Sequence, residues 1–268
     1  MSDVSIYIDG SYFIFYRFFA ILKWWSFAND EAMVAEPIDI LEFVEKFKNT
    51  FAQKIKEIPK KCGIDEKSTE VSMYVGRDCK QSDIWRMEIF KEYKGHRNNA
   101  DLKVGPFFKL VYKERLFEQA GIKEIYYHPR LEADDCIAIY VKRRMINIAA
   151  ESSIVIITSD HDYLQLISPK VNIVNLQFKK LADSKNGSYD PKRNLFIKII
   201  MGDKSDNIPA IFPKCGNITA NKCYENEDFY IKKCTSDSKR LFMRNNLIIN
   251  FDNIPTDFMT ELIDKYND

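Results

Sequence analysis

Five short runs rich in β-branched and aliphatic residues recur along the chain, at residues 4–8, 71–75, 124–127, 153–158 and 171–175. Few polar positions interrupt them, as expected of strands covered on both faces. Between them the apolar spacing changes period. In residues 38–57, Leu41, Val44, Phe47, Phe51 and Ile55 keep helical spacing, and in 134–145 Ile137, Tyr140, Val141 and Met145 fall on one face. Strands alternating with helices of this length predict an α/β fold with a mainly parallel, twisted sheet flanked by helices. Near residue 186 the texture changes. Asn186-Gly187 is a turn signal that predicts a hairpin between 176–181 and 188–189. Beyond it the pattern is helical at 192–201, 219–223, 229–233, 238–246 and 257–266. The expected division is an α/β domain over 1–190 and a small helical subdomain over 191–268.

The most apolar stretch, residues 12–27, is interrupted by Arg17 and Lys23 and is too short for a membrane span. A core-packed helix is the expectation, with Trp24 and Trp25 as rings that could stack on a base. Asp3 and the lack of a basic leader argue against a signal peptide, so a soluble, intracellular protein is expected. The six cysteines form no CxxC pair, which suits reduced thiols.

Nine carboxylates alter this ordinary picture. Asp9 and Asp78 follow the first two strand-like runs, and Glu132, Asp134 and Asp135 open a helix. Asp160 and Asp162 follow the fourth run, and Asp203 and Asp206 stand in MGDKSDNIP. The carboxyl ends of parallel strands face one crevice, so these groups converge. Unpaired they would repel one another, and hard divalent cations are their natural partners. The set predicts a multi-metal phosphodiesterase site, with two Mg²⁺ or Mn²⁺ ions about 4 Å apart. Charge counting agrees: of 39 Asp and Glu, reserving these nine leaves 30 against 40 Lys and Arg. A basic face toward a polyanion is then expected. Residues 88–121 concentrate bases, among them Lys91, Lys94, His96, Arg97 and Lys103, on the rim where the carboxylates should lie.

With these residues in view, the chain resembles the 5′-nuclease superfamily of flap endonucleases, polymerase-associated 5′-nucleases and phage 5′-3′ exonucleases, including phage RNase H. The matching motifs are YIDGSYFIFYR, the acid of YVGRD, EYKGHRN, LEADDCIA, ITSDHDYLQL and IMGDKSDNIP. The resemblance implies a PIN-like catalytic domain with a helical arch over about 91–121, followed by a helix–three-turn–helix-like subdomain. It implies that Asp9, Asp78, Glu132, Asp134 and Asp135 surround one metal, and that Asp160, Asp162, Asp203 and Asp206 hold or orient a second. Lys94 and Arg97 would reach the scissile phosphate, and Tyr93 would stack on a nucleobase. Lys103, Lys214 and Lys222 would contact DNA. The implied substrates are 5′ flaps, nicked or branched duplexes and RNA–DNA hybrids, cut by a monomer in replication, primer removal or repair.

One departure stands out. The family's glycine-rich hairpin after Asp-Asn-Ile-Pro becomes Ala210-Ile211-Phe212-Pro213-Lys214-Cys215-Gly216. That puts the potassium ion often held there in question, while duplex grip remains expected. Two other readings keep the fold: a structure-specific DNA-binding factor without catalysis, and a PIN-type ribonuclease. The complete carboxylate set argues against the first and the C-terminal third against the second.

Overall fold

A computed structural model describes residues 2–28, 36–96 and 103–266. The five predicted strands are β1 (Ser2–Asp9), β2 (Thr69–Gly76), β3 (Glu124–Tyr126), β4 (Ser153–Ile157) and β5 (Val171–Val174), in the order β3-β2-β1-β4-β5. Every neighbouring pair is parallel, with Asp9 opposite Gly76 and Ile8 opposite Ile157. This register aligns the carboxyl ends and turns the acid-bearing loops to one side.

Alternation along β1 divides the core. Ile6 and Ile8 face a cluster containing Phe13, Phe51, Phe107 and Phe117, whereas Tyr7 faces a second cluster with Tyr74, Tyr126 and Tyr140. The first face is covered by α1 (Gly10–Ala28), α2 (Leu41–Lys56), the short α3 (Ile58–Lys61), α5 (Gly105–Lys113) and α6 (Leu116–Gln119). Between β2 and α5 the chain forms the single-turn α4 (Arg86–Ile89). The second face is covered by α7 (Ala133–Ile146). The helical remainder comprises α8 (Pro191–Met201), α9 (Asn217–Glu225), α10 (Glu227–Lys233), α11 (Ser236–Ile249) and α12 (Thr256–Tyr266).

A small core of Ile197, Ile200, Ile211, Phe212, Ala220 and Cys223 holds α8 and α9 together. The altered segment after Pro209 therefore contributes buried side chains, Ile211 and Phe212, and the Ile211 amide donates to the Ile200 carbonyl at 3.0 Å. The last helix leaves this group: Leu262 is buried in the second sheet cluster, and the Tyr127 amide donates to the Tyr266 hydroxyl at 3.0 Å.

The hairpin expected around Asn186-Gly187 does not form. Residues 176–190 close as successive turns, with a 3₁₀ turn at Leu181–Asp183 and the Gly187 amide donating to Ser184 at 3.0 Å. Polar side chains take the backbone groups that a ladder would need. Asn175 accepts from the Gln177 and Lys179 amides, and Asp190 accepts from those of Lys192 and Arg193, capping α8. All six cysteines are free thiols. No helix among the described residues is long and apolar enough to cross a membrane.

Candidate metal centre

The crevice is built first by close backbone approach. A Cβ on Gly76 would lie 2.5 Å from the Ala133 carbonyl oxygen, so only glycine lets the start of α7 press onto the end of β2. That contact brings Asp78 to the helix terminus, where its Oδ1 accepts from the Ala133 amide at 2.8 Å. Ser11, in the first turn of α1, donates its hydroxyl to the other Asp78 oxygen. Asp9 accepts from the Tyr12 amide at 3.0 Å.

Glu132 and Asp135 form a capping box at the head of α7. One oxygen each of Glu132, Asp134 and Asp135 lie within 4.8 Å of one another. Their partners divide their roles. Fully buried Asp135 engages Arg86 through both oxygens, at 2.7 and 2.6 Å, and accepts from the Trp85 indole at 2.9 Å. Glu132 accepts from Arg86 at 2.9 Å, from the Tyr93 hydroxyl at 2.9 Å and from the Lys94 ammonium. Among the described residues no cation forms an ion pair with Asp134, which feels Arg86 and Lys94 only through space.

On the other side, Asp160 caps a 3₁₀ turn, His161–Leu166, by accepting from the Asp162 amide at 2.9 Å. Oxygens of Asp162, Asp203 and Asp206 also lie within 4.8 Å of one another. Lys198 of α8 places its ammonium 2.5 Å from both Asp162 and Asp203. Asp203 accepts again from the Ser205 amide and hydroxyl, each at 2.6 Å. Gly202 makes the tight loop possible: its φ is 66°, and a Cβ would lie 2.3 Å from the Ile208 carbonyl.

Tyr93 joins the two groups, donating to Glu132 and lying 3.2 Å from Asp206. The residue is only 3% exposed, which corrects the expectation that its ring stacks on a base. Lys94, held at a left-handed φ of 55°, donates its amide to the Asp206 carbonyl at 2.9 Å. A lysine in that region stores local strain that its surroundings must over-determine, and here both its amide and its ammonium are anchored.

The carboxylates titrate according to these partners. Burial, then the Asp78 charge, pushes Asp9 up to about 7. Asp160 is pushed up to about 6, by loss of solvent around its carboxyl and then by Asp162, although the residue as a whole opens to the rim. Burial, with Asp135 and Glu132 nearby, raises Asp134 well above the usual carboxylate range. Burial would also raise Glu132 and Asp203, but cations overcome it. Lys94 and Arg86 hold Glu132 low, and Lys198 brings Asp203 down to about 2. The Lys198 ammonium, despite desolvation, is raised by Asp162, Asp160 and Asp203.

The sequence reading missed Arg86 and Lys198. Lys198 had a signal, as the lone cation in the apolar run LFIKIIM before Asp203. Arg86 had none, because its partners are 46 and 49 residues away. Arg97 lies outside the described residues. Lys103 is near Glu36 at 3.4 Å, and Lys214 and Lys222 are exposed on the helical group.

A parallel sheet with convergent carboxylates defines a metal-dependent phosphodiesterase class. The chain belongs to the 5′-3′ exonuclease family, whose N-terminal, resolvase-like domain matches residues 5–193. A 5′-3′ exonuclease of Bacillus subtilis (strain 168) is 33% identical over 138 residues, 48% of this chain and 44% of the relative. One from Buchnera aphidicola subsp. Acyrthosiphon pisum is 27% identical over 241 residues, 84% of this chain and 72% of that one. The match to a third relative, from Buchnera aphidicola subsp. Schizaphis graminum, spans 46% of its length, so the chain covers about half of two of these three proteins. In fold, it is similar to the bacteriophage T5 flap endonuclease solved as a pseudo-enzyme-product complex with DNA and metal ions. That likeness has a TM-score of 0.63 at 17% identity, covering 98% of this chain and 97% of the other.

Proposed function

We propose that this protein is a divalent-metal-dependent, structure-specific 5′-nuclease, acting as an exonuclease, a flap endonuclease or both. The observation that carries the reading is the oxygen-only crevice in which Asp9, Asp134 and Asp160 are held above the ordinary carboxylate range. Carboxylates raised by burial and mutual repulsion, which Arg86 and Lys94 near Asp134 and Lys198 near Asp160 offset only in part, form a donor set suited to Mg²⁺ or Mn²⁺.

Asp9, Asp78 and Asp134 would hold a first ion, and Asp160, Asp162 and Asp203 a second. Two such ions supply an activated water and neutralise charge on the phosphate and the leaving oxygen. The remaining groups position. Asp135 spends both oxygens on Arg86, fixing the guanidinium that in turn orients Glu132. Tyr93 ties Glu132 to Asp206 across the crevice. The Lys94 ammonium, 14% exposed beside Glu132, is placed to turn toward a phosphate oxygen, with Arg97 proposed as its neighbour. Lys103, Lys214 and Lys222 would meet the phosphate backbone of duplex or flap. The catalytic unit is assigned to 1–190, and duplex grip to the helices after it, in a monomer.

Flap, nick, duplex-end and RNA–DNA hybrid substrates labelled at the 5′ end, incubated with Mg²⁺ and scored by product length, test this. Short 5′ products that disappear in EDTA and in the Asp160→Ala protein are expected. Cutting that persists in either would overturn the reading.

A further inference from the structure

The cations around the crevice differ in what they face. Arg86 engages Asp135 and Glu132, Lys94 engages Glu132, and Lys198 engages Asp162 and Asp203. Arg77, the residue before Asp78, is half-buried, and among the described residues no carboxylate pairs with it.

Its backbone is fixed as β2 runs past its last paired residue, the Arg77 amide donating to the Tyr126 carbonyl at 2.9 Å. Its guanidinium lies against rings instead of acids. The Cζ atom is 4.0 Å from the centroid of Tyr112, on α5, and 4.9 Å from that of Tyr127, just after β3. Rings from two separate elements hold the planar group in place through its faces and leave its edge donors open. Asp78, next in the chain, does not close that fork, because its oxygens accept from the Ala133 amide and the Ser11 hydroxyl.

Arg77 lines a cavity of about 370 Å³ together with Ser11, Asp78, Lys94, Phe108 and Glu132. The described walls come from α1, α5, the head of α7 and the chain that follows β2, and none belongs to the Asp160–Asp203 side. The open fork therefore lies to one side of the converging carboxylates, next to the position of Asp78. A guanidinium fork matches a pair of non-bridging phosphate oxygens, and a strand laid over the carboxylates carries one phosphate on each side of the bond to be cut.

We propose that Arg77 takes the phosphate next to the scissile one, and that this grip fixes which bond lies over the carboxylates. This rests on the nuclease reading of the crevice. The contact is to backbone alone, so it sets the position of the cut without reading the base. Lys94, against Glu132, serves the centre itself, whereas Arg77 holds the strand beside it.

The test is single-turnover cleavage with Mg²⁺ of 5′-labelled flaps in which one phosphate flanking the scissile one is replaced by a neutral methylphosphonate. The unaltered protein should lose roughly ten-fold in rate at one of the two flanking positions. Arg77→Met should lose about as much on the natural flap and nothing further from that methylphosphonate, and its products should spread over neighbouring lengths. Arg77→Lys, which keeps the charge without the fork, should cut faster than Arg77→Met. No penalty at either flanking phosphate in the unaltered protein overturns the contact, whether or not the variants fold. Losses from variant and methylphosphonate that simply multiply also overturn it, and leave Arg77 as a link between α5 and the end of β3. Coupled losses with unchanged product lengths overturn the positional role. If the unaltered protein cuts no 5′-ended substrate, the nuclease reading itself falls, whereas cutting with multiplying losses sinks only the role of Arg77.

Discussion

The two sides of the crevice hold similar carboxylates in opposite electrostatic conditions. Around Asp203 the chain supplies its own cation: Lys198 sits against Asp162 and Asp203, and Asp203 ionises at about 2. At Asp9 no cation among the described residues compensates, at Asp134 Arg86 and Lys94 compensate only in part, and both are held above the usual range. Burial acts on every one of these groups, so the difference comes from direct pairing: Asp203 touches the Lys198 ammonium, whereas Asp160, which feels it only through space, is still pushed up to about 6. The lesson is that carboxylate number does not rank metal sites. The less compensated set has the greater need of an external cation, and the compensated set must share its oxygens with Lys198 or move it aside.

Removing a ligand breaks the comparison most severely. Asp78→Asn and Asp134→Asn should each reduce cleavage of a 5′ flap about a thousand-fold or more, measured by single-turnover assay with Mg²⁺. Far-UV circular dichroism should be unchanged, because each substitution relieves repulsion.

Arg86 is the next largest lever. Replacing it with Met strands Glu132 and Asp135 without their guanidinium, and loss of one partner from a buried pair costs about 3–5 kcal/mol. Urea denaturation should show that loss at neutral pH. An unaffected midpoint would mean that the Asp135–Arg86 pair does not support the crevice.

Lys198→Met converts the second side into a copy of the first. Ca²⁺ affinity should rise on the order of ten-fold, since the competing ammonium is gone. Isothermal titration reads this directly, and weaker binding would mean that Lys198 assists the ion instead.

The smallest effect is in pH. The Asp9 and Asp160 values lie above the ordinary 3.8, at about 7 and about 6, so their favourable contribution is complete below pH 4 and lost as pH rises through those values. Asp203 and Glu132 act oppositely, contributing above pH 4 and losing that as pH falls toward 2. Metal-free protein should therefore melt lower at pH 8 than at pH 5.5, and added Ca²⁺ should close the gap, because bound metal requires the deprotonated carboxylates. A melting temperature that rises with pH in EDTA would contradict the assignment.

Much of this was legible in the chain. Strands buried on both faces leave uninterrupted apolar runs, so all five strands were readable, and with them the convergence of the acids that follow. Long-range pairing was not. Asp135 and Asp134 are adjacent and chemically identical in the sequence, yet one is saturated by Arg86 and the other is not, a difference set by an arginine about fifty residues away. The expectation that Tyr93 stacks on a base came from the resemblance alone, but its hydroxyl is what the fold uses. The turn at Asn186-Gly187 was read from a dipeptide, whereas Asn175 and Asp190 had already diverted the backbone groups a hairpin would need.

Manganese binding followed by electron paramagnetic resonance tests the central contrast most directly. In the unaltered protein a first, tighter Mn²⁺ should bind ahead of a weaker second. The tighter ion should vanish in Asp134→Asn and persist in Asp203→Asn. Loss of the tighter ion in Asp203→Asn, with its retention in Asp134→Asn, would contradict the account.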